Sequence, residues 1–152
     1  MGKIFRLSYI LILSIFLVAC TDQPSQNGDS CSYKIETGDI ITISVASGYT
    51  QMEEVPFKIY KRDKLICEGS FTTELSAENY LDSLPEENRI EDEDIDENKF
   101  ILTNDDGQYK GLVFMNDTNT VIAISYYLQK EEIMPFMRTL SIVSETKNRS
   151  LF

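Results

Sequence analysis

The chain has 152 residues, 14 Lys+Arg against 25 Asp+Glu and no His, which gives a formal charge of −11 and a pI near 4.4. That length supports one ordinary domain. The acidic balance argues against nucleic acid as a partner, because such binding needs a basic face to displace counterions. The absence of imidazole removes Ser-His-Asp and Cys-His nucleophile systems and zinc sites built on His.

Lys3 and Arg6 precede an apolar run over residues 9–19 that is broken only by Ser14. The run is shorter than the roughly 20 residues that span a bilayer and fits the core of a secretory signal. It ends Leu17-Val18-Ala19-Cys20. These four residues resemble the lipobox of bacterial lipoproteins. The resemblance implies a signal peptide over residues 1–19, cleavage before Cys20, a diacylglycerol on its thiol and an acyl chain on the new amino group. Two or three acyl chains suffice for stable anchoring. Thr21 follows Cys20, and Asp22 comes one place later. In that family this order implies the outer membrane, with the protein facing the periplasm. From Cys20 onward twelve bases stand against 25 acids, a formal charge of −13.

Residues 20–31 then read as the lipidated Cys and a polar, Pro- and Gly-containing tether. Cys31 and Cys67 remain as an even pair in an oxidising compartment, so a disulfide is expected. Closing a loop of that length is worth roughly 3–4 kcal/mol in chain entropy. The bridge would pin the chain's entry to the sheet.

In residues 39–46, Ile41, Ile43 and Val45 alternate with Thr42 and Ser44, a strand period of two. A turn at 47–49, a strand at 55–60, a polar turn at 61–64 and a return strand at 65–69 carrying Cys67 follow. Residues 76–84 predict a short helix with Ser76 as N-cap, Ala77, Tyr80 and Leu81 inward, and Pro85 as stop. Residues 86–97 hold eight acids in twelve positions and predict a loop between two folded halves. A meander follows: strand 99–103, hairpin 104–107, strand 109–115, turn 116–119 and strand 121–128. Ile133, Phe136, Met137, Leu140 and Val143 recur at helical steps and predict a helix over 131–144. Pro135 suits only a first turn, so that helix is expected to begin at Glu132 or Ile133. Residues 147–152 form a polar tail.

The expected fold is α+β over residues 32–146: a single antiparallel β-sheet with a hairpin meander, packed by a short helix and a C-terminal helix. The segments ITISVASGY (41–49) and GLVFMNDTNTVIAISYYL (111–128), with the terminal helix, resemble the PsbP/Mog-like domain, also found in DcrB-type envelope lipoproteins. Tyr49 stands where such domains often have Trp. The resemblance implies work by protein binding and no single shared chemistry.

Asp92, Asp94 and Asp96 alternate as the start of a calcium loop would, but Glu97 occupies the place that needs Gly and Thr103 the place that needs a bidentate Glu. Three readings of the segment stay open: a solvated loop, a calcium site, and a docking surface for a basic partner built from Glu91, Asp92, Glu93, Asp94, Asp96 and Glu97. There is no P-loop, no Gly-x-Gly-x-x-Gly and no Ser-x-x-Lys near Ser125, so no enzyme, metal or cofactor is expected. Two functions fit a lipid-anchored binding protein. One is an immunity lipoprotein that neutralises a toxin delivered into the periplasm, for instance by type VI secretion. The other, implied by the DcrB likeness, is an accessory lipoprotein in envelope assembly, transport or stress response. The expected partners are the membrane, through lipid on Cys20, and a protein; nucleic acid is not expected.

Overall fold

The computed structural model describes residues 29–116 and 118–145. The expectations for the signal peptide, Cys20, most of the tether, the turn residue Asp117 and the tail fall outside the described residues.

Among the described residues, ten strands and two α-helices follow in chain order: β1 Ser30–Lys34, β2 Ile40–Ser44, β3 Tyr49–Met52, β4 Phe57–Lys61, β5 Lys64–Thr73, α1 Glu74–Ser83, β6 Arg89–Ile95, β7 Asn98–Asp105, β8 Gln108–Phe114, β9 Thr120–Tyr126, α2 Lys130–Met137 and β10 Ser141–Glu145. The fold is mixed α+β, but the strands form two sheets and not the single sheet expected. One has three strands in the order β1-β2-β10, the other seven in the order β3-β4-β5-β9-β8-β7-β6, and every pairing is antiparallel.

The alternation of apolar and polar residues gives each sheet one apolar face, and these faces pack on each other. Ile41 and Ile43 of β2 point into the core with Cys31 and Tyr33 of β1. They meet Phe57, Ile59, Cys67, Phe100, Leu102, Ile122 and Ile124 from the inner face of the large sheet. Ile133, Phe136, Met137 and Leu140 complete this core. The opposite face of the large sheet is partly covered by α1. Ala77 and Leu81 pack there on Ile101, Leu112 and Val121 in a smaller cluster. Two glycines permit the close inner packing. A Cβ on Gly111 would lie 2.5 Å from the Tyr126 hydroxyl and 2.6 Å from the Phe100 ring, and one on Gly69 would collide with Phe57.

Several expectations change. Ser30 and Cys31 belong to β1 and not to the tether. The first helix is capped by Thr73, whose hydroxyl accepts from the Ser76 backbone N–H at 3.2 Å; Ser76 sits three places inside. Ala77 and Leu81 are buried as the period required. The second helix stops at Met137, and Ser141–Glu145 is a strand paired with β2. The Thr139 hydroxyl donates to the Phe136 carbonyl at 2.7 Å and closes the helix end. Ile142 and Val143 then enter β10, where β-branched side chains fit; Val143 is exposed, against the helical expectation. That helix starts at Lys130, with Gln129 and Glu132 making a reciprocal capping box, so Pro135 stands in its second turn.

The segment over 86–97 is not a loop. A single 3-10 turn, Glu86–Asn88, leads into β6, an edge strand paired to β7. Charges are tolerated there because an edge strand has one neighbour and open solvent on its other side. No disulfide joins Cys31 to Cys67. The two residues lie on strands of different sheets, and both thiols fill core positions as small apolar groups. Burial, reinforced by the charge of Glu68, pushes the Cys67 thiol up to about 12.

Candidate functional site

The period of two divides the acids of β6 between the two faces of the sheet. Asp92 lies opposite Ile101 and Asp94 opposite Lys99, so both share the α1 side. Glu91 lies opposite Leu102 and Glu93 opposite Phe100, so both face the α2 side. Asp96 and Glu97 form the turn into β7, with Asp96 in the left-handed region at φ 55°. The structure therefore separates the six candidate residues into two pairs and a turn.

It also adds residues that linear reading missed. Glu74, Glu78 and Asp82 recur every four residues on α1 and form one exposed stripe. α1 crosses the outer face of the sheet toward β6. The Arg89 guanidinium at the start of β6 donates to the Leu81 carbonyl at 2.8 Å and stands 3.7 Å from Asp82. This contact caps the helix C-terminus, where a cation is favoured. Between the helix and the edge strand lies a groove of about 720 Å³. Its walls carry six carboxylates: Glu74, Glu78, Asp82, Asp92, Asp94 and Glu97. Leu81, Ile101, Phe114 and Met115 supply apolar surface, and Arg89 and Lys99 are the cations lining it. Lys99 reaches Asp92 at 3.4 Å. Among the described residues, Glu74, Glu78, Asp94 and Glu97 make no ion pair. The signal for the helical half was present as an i, i+4, i+8 spacing, but nothing local says that this stripe faces β6.

On the α2 side, Glu93 pairs with Arg138 at 2.9 Å. Just after the acidic turn Asn98 is buried and joins the sheets: its amide donates to the Ile142 carbonyl at 3.2 Å, and its carbonyl accepts from the Asn116 N–H at 3.1 Å. Asn98 thus sets the position of the acidic turn relative to β10. A second depression of about 420 Å³ lies between α1 and strands β5 and β9, with a floor of small side chains including Ser70 and Ala123. Tyr80 walls it, with the Lys110 ammonium 5.2 Å above the ring.

The chemistry open to the acidic groove is recognition of positive charge. Its carboxylates come from a helix, a sheet edge and the turn that follows that edge, and an apolar strip runs between them. A Lys- or Arg-bearing segment laid there could pair its charges and bury its stems on Leu81 and Ile101. Among the described residues no group of three or more Cys, Asp or Glu is placed to hold a metal ion. No protein-family model matches the chain, and no curated protein or solved structure is similar to it at a significant level.

Proposed function

We propose that this chain is a non-catalytic binding protein, anchored by lipid on Cys20 at the outer membrane and facing the periplasm, which captures a basic protein partner in the groove between α1 and β6. The observation that carries this reading is the convergence of six carboxylates, from α1, β6 and the turn after it, around an apolar strip. Such a surface accelerates encounter with a cationic partner, and the rate falls with salt. The more specific form of the reading is an immunity lipoprotein whose groove occludes a cationic face of a periplasmic toxin.

The test is affinity capture from the native envelope, with identification by mass spectrometry, comparing the natural chain with an Asp92→Asn/Asp94→Asn/Glu78→Gln variant. The expected result is a basic protein retained by the first and lost, by at least tenfold, with the second. Equal recovery by both chains would remove the groove from the account. Deleting the gene beside a toxin-armed sibling should sensitise the cell if the partner is a toxin; unchanged survival would leave the general binding reading and exclude the immunity form. A Cys20→Ser variant should lose fatty-acid labelling, and normal labelling would refute the anchor.

A further inference from the structure

We propose that the tip of the β4–β5 hairpin docks on anionic lipid headgroups beside the anchored end of the chain and holds the acidic groove away from the bilayer. The inference rests on the reading of Cys20 as lipidated.

The tip carries Lys61, Arg62 and Lys64 in four residues, all exposed, with Asp63 as its one acid. Among the described residues none of the three cations makes an ion pair, although the chain contains 25 acids. The tip is also rigid. Arg62 and Asp63 are the two central residues of the turn, at φ 50° and 63°, the mirror-type geometry that suits a two-residue hairpin. The Lys61 ammonium sits 5.3 Å from the centre of the Tyr49 ring.

Position supplies the partner. The described chain enters at Asp29, whose carboxylate accepts the Gln51 N–H of β3 at 3.3 Å and whose carbonyl accepts the Val45 N–H at 2.9 Å. Gln51 lies opposite Ile59, and Tyr49 opposite Lys61. The tip is therefore only three or four residues beyond the level of the entry point, about 10–13 Å along the strand. Asp29 is nine residues from Cys20, a span of at most about 30 Å. The cations are thus within reach of a bilayer that holds Cys20. β6 is an edge of the same seven-stranded sheet, four to five strand spacings or about 19–24 Å from the two strands of the hairpin. A bilayer with anionic headgroups attracts this tip and repels β6. The net negative charge alone would suggest that the module avoids such a surface; its segregation gives the module an orientation.

The experiment uses the full acylated chain in vesicles of phosphatidylcholine, or of phosphatidylcholine with about 30% phosphatidylglycerol. A dye is placed by Ser47→Cys near the tip or by Glu87→Cys near β6, and energy transfer to a headgroup-labelled lipid is measured. A second arm holds residues 21–152 by an N-terminal hexahistidine on nickel-chelating lipid. Failure of Cys20 acylation, read by mass spectrometry of the native chain, is thus separated from failure of docking. Expected are at least a twofold gain in transfer from position 47 on anionic vesicles, a fall from position 87, and loss of both changes in 0.5 M salt. Lys61→Gln/Arg62→Gln/Lys64→Gln, with an unchanged melting curve, should abolish the preference, as should the corresponding Glu variant. Equal transfer on neutral and anionic vesicles overturns the proposal. So does dye-to-dye transfer between chains that the same variants abolish, because the tip would then be seated on a second copy.

Discussion

The two edges of the seven-stranded sheet handle the same physical problem by different means. An edge strand leaves backbone donors and acceptors open to pairing with another chain. At β3 the edge is covered: Asp29 accepts the Gln51 N–H, the Gln51 side chain donates to the Tyr33 hydroxyl at 2.7 Å, and that hydroxyl donates to the Met52 carbonyl at 3.4 Å. At β6 the edge is charged: alternating acids project to both faces, and Lys99 and Arg138 answer only two of them. A covered edge is part of the fold. A charged edge stays available, and its ion pairs, all between largely exposed side chains, add little to stability. The contrast teaches that one edge of the sheet is tied into the fold and the other is left open and charged.

The sheet's middle keeps the edges apart, so the largest expected effect comes from distorting it. Gly111→Ala forces a methyl against the Tyr126 hydroxyl and Phe100, and overpacking of this kind costs about 1–3 kcal/mol. Urea denaturation should place this variant at the upper end, and an unchanged midpoint would show that the middle yields. Alkali attacks the same region. The Cys67 thiol is held protonated up to about 12, by burial first and Glu68 second, while an exposed thiol in the unfolded chain ionises near 9.0. A raised folded value means that this stability is complete below about pH 9 and lost as pH climbs toward 12. Stability should fall by roughly 1.4 kcal/mol per pH unit in that window. The Tyr126 hydroxyl, raised by burial and by Cys67, adds to the loss above 10. Melts at pH 8, 10 and 11 check this, and Cys67→Ala should flatten the first part of the decline.

The edges themselves come next. Tyr33→Phe removes the hydroxyl that joins Gln51 to Met52 and should cost about 1–2 kcal/mol, whereas Asp92→Asn and Asp94→Asn should stay within about 0.5 kcal/mol of the natural chain. If the β6 substitutions destabilise as much as Tyr33→Phe, the division between a structural edge and a binding edge is wrong. The smallest stability effect, with the largest effect on binding, is thus expected at the acidic groove.

Most strands were legible because their signals are local. Alternation in Ile41, Ile43 and Val45, and the Asn104-Asp105-Asp106-Gly107 turn, with Asp106 at φ 53° and Gly107 at φ 83°, need no distant partner to be read. The acidic strand was misread because eight acids in twelve residues look like solvated chain; only pairing with β7 turns Arg89–Ile95 into an edge. The final helix was overextended because Leu140 keeps its buried helical position just after the helix ends. Nothing near Ile142 announces that β2, a hundred residues earlier, will take it as a partner.

By itself the sequence determined the charge, the absence of imidazole, the likeness of residues 17–20 to a lipobox, the local periods and the turn positions. These are properties of neighbouring residues, set by side-chain chemistry and backbone preference. Only the tertiary structure decided that there are two sheets, that the stripe on α1 faces the acids of β6, and that Asp29 sits on β3 beside the hairpin that carries the basic tip. Each of these joins segments far apart in the chain, whose association depends on burying a shared apolar face and is not encoded in either segment alone.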